Sequence, residues 1–297
     1  MNKPNLYLYL RGGLGNQMFQ YATARALSLS NNATLVIDSR SGFVRDFTYK
    51  RSYELDSFCT QSRKILPHEV FPIWLYRWHY RKTNRRPILL KNFWFGSFIS
   101  EPVSAWIPSF DQIILKDNTW LVGYWQSPHY FSKISSLICQ ELMPPPCKEF
   151  CFNLISNKIL NCESVALGIR LYEESKDPLS HSSSRSLKSI SEIQLAVDNM
   201  LSSRPNSTFF IFCTHRSSLL QQLKLPSDTV FLIGDEGYSN PVATLWLLTL
   251  CRHHIITNSS FFWWGAWLSQ AHHFDQSIFA ANNFINQDSI CNHWRTF

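Results

Sequence analysis

Near the start of the chain an apolar run, Leu6-Tyr7-Leu8-Tyr9-Leu10, meets the glycine-rich turn Arg11-Gly12-Gly13-Leu14-Gly15, which passes straight into a stretch with Met18, Ala22, Ala26 and Leu29 at helical spacing. The run suits a buried strand, so the order is strand, glycine turn, helix. Thr34 to Asp38 reads as a second strand and completes a βαβ unit. In such a unit the turn lies at the carboxyl edge of a parallel sheet, where doubly wound folds bind ligands. A purely structural turn fits this pattern, and so does a ligand-binding one. A dinucleotide fingerprint does not, because Met18 stands where its third glycine belongs. Asn16, Gln17 and Gln20 set amides on the first turns of an otherwise apolar helix, where they can bond sugar hydroxyls or phosphate oxygens.

Over 297 residues, with 45% hydrophobic and 15% aromatic content, the chain can bury a sizeable core and is expected to form two domains. It contains no long apolar run of transmembrane type and no signal-peptide layout at its N-terminus, so a cytoplasmic location is expected. The eight cysteines are scattered without a C-x-x-C pair, which suggests neither a zinc site nor a disulfide framework. A net charge of +7 favours an anionic partner. From Arg63 to Lys91 eight Lys or Arg face one acid, Glu69, and alternate with Trp74, Tyr76, Trp78 and Tyr80. A helix here would be basic on one side and aromatic on another, which suits peripheral contact with a membrane and equally a solvated helix packing its aromatics inward. None of the common nucleic-acid modules is visible.

Further along, Gly123-Tyr124-Trp125-Gln126-Ser127 gathers aromatic rings and an amide that suit either sugar stacking or a packed core. Pro144 to Asn161 reads as the connection between domains. From Ser164 onward short apolar runs alternate with helical ones, the pattern of a doubly wound α/β domain. One of its strands ends at Gly168-Ile169-Arg170, and another at Thr257-Asn258-Ser259-Ser260 just before a helix. An arginine at a strand end can bond two phosphate oxygens, and a helix N-terminus flanked by hydroxyls can hold phosphate or a sugar oxygen. Trp263, Trp264 and Trp267 read as helix–sheet packing. His253 and His254 lack partners at metal-ligand spacing and read as core histidines, so no metal is expected. Asp38, Glu54 and Asp56 are nearby carboxylates that read as capping or solvated groups.

Several of these stretches together resemble glycosyltransferase family 11, the α-1,2-fucosyltransferases. GGLGNQMFQYA matches the family's N-terminal signature, and Tyr53 to Phe58 its Y-x-L-x-x-F element. Gly123 to Phe131 is similar to GYWQS-x-x-YF, and His253 to Leu268 to HHIIANSSFSWWGAWL. Two motifs are altered. In H-x-R-R-x-D, Gly168 replaces the histidine, Leu171 the second arginine and Glu173 the aspartate, while Arg170 remains. In FF-x-F-S-D-D, Cys213, Thr214 and His215 replace the serine and both acids.

The resemblance implies an α/β architecture of GT-B type, two Rossmann-like domains facing a cleft, with an acceptor-side domain over 1–150 and a nucleotide-sugar domain over 160–297. It implies inverting, cofactor-free and metal-independent transfer of L-fucose from GDP-fucose to the 2-hydroxyl of a hexose such as galactose. The acceptor would be an oligosaccharide or a lipid-linked glycan of the O-antigen kind. Arg170 and Glu173 would be catalytic, and Gly13, Gly15, Asn16, Gln17, Asn258, Ser259 and Ser260 would bind the donor. Tyr124, Trp125 and Gln126 would bind the acceptor. Ser175 to Ser189 would be a loop closing over the donor, or plain disorder. The altered motifs leave open a different nucleotide sugar, or a relative that binds without turnover.

Overall fold

The computed structural model describes residues 3–44, 46–47, 49–69, 90–92, 96–101, 106–170, 187–284 and 286–297. The chain forms two compact units, Met1–Leu142 and Met143–Phe297. Each is built on a six-stranded sheet.

In the first unit β1 (Asn5–Tyr9) lies at the centre, between β2 (Thr34–Asp38) and β6 (Thr119–Val122). Beyond β2 comes β3 (Arg63–Lys64); beyond β6 come β5 (Gly96–Ser100) and then β4 (Leu90–Asn92). Among the described residues only the β4–β5 pair is antiparallel. Every other residue of β1 points to the same face, so Tyr7 and Tyr9 join Val36, Phe98, Trp120 and Val122 in one cluster while Leu6 and Leu8 are buried on the other face. Burial on both faces is why the run is continuously apolar rather than alternating.

The glycine turn leads into α1 (Leu14–Ser30), as its sequence requires. The stripe read from spacing is only half right. Met18 and Ala22 are buried, but Leu29 is 43% exposed, because the first half of α1 is enclosed nearly all round and the periodicity there carries no face. What fixes the helix is polar: Glu141, on α2 (Ser135–Leu142), accepts from the Tyr21 hydroxyl at 2.5 Å and pairs with Arg25 at 2.9 Å. Burial and the neighbouring carboxylate push the Tyr21 hydroxyl well above its usual pKa, so it donates at every working pH.

In the second unit α3 (Phe150–Leu160) falls inside the stretch read as a connection. Its Phe152 and Ile159 are buried, so this is a structural helix of the unit and not a linker. The strands β7 (Glu163–Gly168), β8 (Ser207–Cys213), β9 (Val230–Ile233), β10 (His253–Ile256), β11 (Ile278–Ala280) and β12 (Arg295–Thr296) pair in parallel in the order β12-β11-β10-β7-β8-β9. Counted along this unit, that is the 3-2-1-4-5-6 arrangement of dinucleotide-binding folds. The helices α4 (Ile190–Ser203), α5 (Pro241–Leu250) and α6 (Ser260–Ser269) connect them. Ser189 and Glu192 form a capping box at the start of α4, and Asn240 caps α5 ahead of Pro241. Val165, Leu167 and Ile169 pack with Ile193, Val197, Phe209 and Ile211 on one side of the sheet.

Both histidines of β10 serve the core. His253 bonds Glu163 at 2.7 Å and accepts from the Ser277 amide, and His254 bonds the Cys251 carbonyl. Complete burial pushes the His254 pKa down to about 3, so it is neutral in the fold.

Two stability outcomes follow. Glu141→Ala leaves Arg25 and Tyr21 without their shared acceptor and is expected to cost about 2–4 kcal/mol, read as a lowered denaturation midpoint. The depressed His254 pKa means that the unfolded chain binds an extra proton below about pH 6.5. Stability is therefore lost as pH falls from there toward 3, and His254→Phe should flatten that slope by up to about 1.4 kcal/mol per pH unit in acid denaturation curves.

Candidate active site: two sheet edges

In the second unit the strand order reverses between β7 and β10, so a crevice opens where their carboxyl ends diverge. One hydroxyl joins those ends. Thr257 Oγ1 donates to the Gly168 carbonyl at 3.0 Å and accepts from the Arg170 amide at 2.9 Å, while the Thr257 amide bonds the same carbonyl. Because Val165, Leu167 and Ile169 face the core, alternation sends Ala166, Gly168 and Arg170 to the opposite face, the side of α6.

Asn258 is buried and donates to the Asn283 carbonyl, which ties the end of β10 to the chain beyond β11. Ser259 occupies the N-cap position of α6 but gives no side-chain cap, and no acid stands in the first turn. This helix start carries partial positive charge at the crevice. The tryptophans that follow are structural: Trp263 and Trp264 are fully buried, and Trp263 donates to the Ser289 carbonyl.

The two departures from the family motifs have spatial explanations. A Cβ on Gly168 would lie 2.5 Å from Cγ of Phe262, in the first turn of α6, so the ring fills the place of a side chain at 168. An apolar ring thus lies on the face that carries Arg170. At the end of β8, His215 pairs with Asp235 and Arg216 with Glu236. The acids at this edge therefore come from the turn after β9, not from the end of β8. Glu173 and nearly all of Ser175 to Ser189 lie outside the described residues, as do residues 70–89 of the basic stretch. Of that stretch, Arg63 pairs with Glu69 and Lys64 with Asp56.

In the first unit the order does not reverse, but β1 and β6, far apart in sequence, lie side by side and parallel. After β1, Gly12 adopts a left-handed φ of 81°, which glycine allows. Gln17 is fully buried: its amide nitrogen bonds the Gly12 and Ser52 carbonyls, and its oxygen accepts from the Glu54 amide. Gln20 likewise holds both the amide and the carbonyl of Arg11. These amides, expected to meet a ligand, are spent on shaping the turn. The Glu54 carboxylate accepts from the Leu14 amide and so supplies negative charge at the start of α1 itself. Gly13, Gly15, Asn16 and Gln17 belong to this unit, whereas Asn258, Ser259 and Ser260 belong to the other.

After β6, Trp125 is fully buried against Phe110 and Tyr130, which removes it from the candidates for stacking on a sugar. Tyr124 is 38% exposed, and the Arg11 guanidinium lies 4.4 Å from its ring centre. Gln126 donates to Asn16 at 2.7 Å, so the turn after β6 is joined to the first turn of α1. Glu101 belongs to none of the motifs legible in the sequence. It follows β5, and its Oε2 accepts from the amides of Tyr124 and Trp125 at 2.8 and 2.7 Å. Burial pushes its pKa up, opposed by those two amides and by Arg11. Its separation from every recognised motif hid it.

Among the described residues no three His, Cys, Asp or Glu come together to hold a metal ion, and no helix is long and apolar enough to cross a membrane.

Two parallel-sheet units of this kind define an α/β protein of GT-B type, the fold of solved fucosyltransferases. Fucosyltransferase NodZ from Bradyrhizobium superposes over 89% of this chain and 92% of its own, with a TM-score of 0.52 at 15% identity. It has also been solved soaked with GDP-fucose. The family model for glycosyl transferase family 11 matches residues 5–295. The chain belongs to that family. An alpha-1,2-colitosyltransferase of Escherichia coli is 28% identical over 270 residues, covering 87% of this chain and 86% of the relative. The O-antigen biosynthesis glycosyltransferase WbnK of Escherichia coli is 23% identical over 282 residues, covering 89% and 90%.

Gly168→Ala should overpack against Phe262 and lower stability by about 1–3 kcal/mol. Phe262→Ala should restore part of that loss when the two are combined, giving a non-zero coupling in a double-mutant cycle of unfolding free energies.

Proposed function

We propose that the chain transfers a deoxyhexose, L-fucose foremost, from a GDP-sugar to the 2-hydroxyl of a hexose such as galactose, with inversion and without a metal. The observation that carries this is Arg170, anchored through Thr257 at the reversal of the second sheet, on the face toward the start of α6. In this reading the acceptor oxygen attacks the anomeric carbon as the bond from that carbon to the diphosphate breaks, and the electron pair leaves with GDP. The Arg170 fork and the amides at the start of α6, with Ser259 and Ser260 beside them, hold the charge that builds on the leaving group. Inversion needs one proton acceptor on the acceptor side and no covalent intermediate. Tyr124, Gln126 and Asn16 hold the acceptor sugar, by ring contact and by amides that read hydroxyls.

The relatives support the class of substrate. One acts in O-antigen biosynthesis, which favours an oligosaccharide or lipid-linked acceptor met at the cytoplasmic face of the inner membrane. Another is named for colitose, a sugar that differs from fucose by one missing ring hydroxyl. That name and the Phe262 ring over Gly168 favour a second reading, in which the donor is a dideoxyhexose.

The test is a binding and turnover panel with EDTA present, using GDP, UDP and CMP and then their sugars. GDP is expected to bind in preference to the others and a GDP-deoxyhexose to be consumed. Arg170→Ala should lower kcat/KM by about 10²–10³ and weaken GDP binding. Preference for UDP, or GDP binding without turnover across a broad acceptor set, overturns the reading.

A further inference from the structure

We propose that Arg11 and Arg51 form a phosphoryl-binding site beside the glycine turn, wholly within the first unit, and that its ligand is the phosphate or diphosphate of a glycosyl acceptor. The site stands on the geometry of this unit alone; its assignment to the acceptor rests on the transferase reading above.

Both guanidiniums lie at the turn that follows β1. Arg11 stacks on Tyr124, 4.4 Å from the ring centre, and a Cβ on Gly12 would lie 3.4 Å from that ring. Arg51 lies 5.5 Å from the centre of the Tyr49 ring, and a Cβ on Gly13 would lie 3.7 Å from its guanidinium. Adjacent glycines thus each border one cation–ring pair. Tyr124 and Tyr49 are both 38% exposed, so the cluster reaches the surface.

The donors of this pair are unused. Arg11 and Arg51 are partly buried, yet among the described residues neither guanidinium makes a hydrogen bond or an ion pair, and Arg11 Nε is shut off from water without a partner. Arg25 and Arg63 of the same unit, by contrast, are each paired with a glutamate. The amides of Gly12 and Gly13 also lack an acceptor among the described residues.

The acids nearby are committed elsewhere. Glu101 accepts from the amides of Tyr124 and Trp125, Glu54 from the Leu14 amide, and Asp46 from the amides of Tyr49 and Arg51. They hold the backbone that carries the rings rather than the guanidiniums. Burial pushes the pKa of Glu54 and of Glu101 up, which weakens their hold on negative charge.

Two planar forks, each fixed against a ring, and two peptide N–H groups suit a ligand with several charged oxygens. A phosphoryl group has them and a neutral sugar does not. In the transferase reading the donor's diphosphate already has Arg170 in the other unit, so a second phosphoryl site calls for a phosphorylated acceptor. Asn16 and Gln126, beside the same turn, carry the amides that suit the sugar attached to it.

The test uses the full chain and inorganic pyrophosphate, followed by calorimetry, with Arg170→Ala as the background that weakens the donor site. Pyrophosphate is expected to bind this protein, and Arg11→Gln and Arg51→Gln should each weaken that binding about tenfold or more. Arg11→Lys and Arg51→Lys keep the charge but not the fork and should fall between. Offered a hexose 1-phosphate and the parent hexose as acceptors, wild type should favour the phosphorylated one. The two Gln variants should lose that preference, with GDP affinity and thermal midpoint close to wild type.

No pyrophosphate binding to wild type, or binding that Arg170→Ala alone removes, overturns the site, as does a loss confined to one of the two arginines. An equal fall in GDP affinity in the Gln variants overturns the acceptor assignment, because the phosphate is then the donor's. If those variants do not fold, phenylglyoxal labelling of wild type reads the same site: pyrophosphate should protect Arg11 and Arg51, and absence of protection overturns it. Wild type that binds pyrophosphate through Arg11 and Arg51 but turns over no GDP-sugar defeats the transferase reading and leaves the site standing. Turnover without such binding defeats the site alone.

Discussion

In each unit, neighbouring parallel strands end at one edge, so the shape of that edge depends on how those ends are tied together. In the second unit the tie is the Thr257 hydroxyl, which bonds the carbonyl of Gly168 and the amide of Arg170. A threonine can do this because one hydroxyl both donates and accepts. It holds the backbone of Arg170, two residues past the last paired residue of β7. In the first unit the ties are a carboxylate and two amides. Glu101 gathers the turn after β6, Gln126 reaches Asn16, and Gln17 and Gln20 clamp the glycine turn. The two edges therefore rest on the same principle, buried polar side chains satisfying the backbone where the sheet stops doing so.

The altered motifs are local exchanges rather than decay. The ring of Phe262 occupies the space over Gly168, so the loss of a side chain on the strand and the gain of one on α6 conserve packing. His215 and Arg216, past the end of β8, pair with Asp235 and Glu236 of the turn after β9. Exchanges of this kind keep a fold while changing what a pocket presents. Here the face that carries Arg170 presents a ring.

Much of the architecture was legible because local signals agree with each other. The strand–glycine–helix start and the alternation after Ser164 are visible without coordinates, and so is the strand end at Arg170. The legible part of the candidate sites is what lies inside a contiguous motif, such as Arg170 or Tyr124 with Gln126. Roles within those motifs were less legible. Gln17 and Trp125 stand among ligand-type residues in sequence yet are fully buried, and burial is a property of the packed unit. The helical stripe ending at Leu29 misled for the same reason: a helix enclosed on most sides has no polar face to set its phase.

The sequence by itself determined the class of fold and the strand ends that carry the candidate residues, because periodicity, glycine turns and capping residues act within a few residues of one another. Only the tertiary structure decided which polar groups face a crevice and which are consumed in building it. Glu101 meets Tyr124 and Trp125 across 23 and 24 positions, and Thr257 meets Arg170 across 87. Contacts of that range are set by strand order and register, which bring distant ends of the chain to one edge.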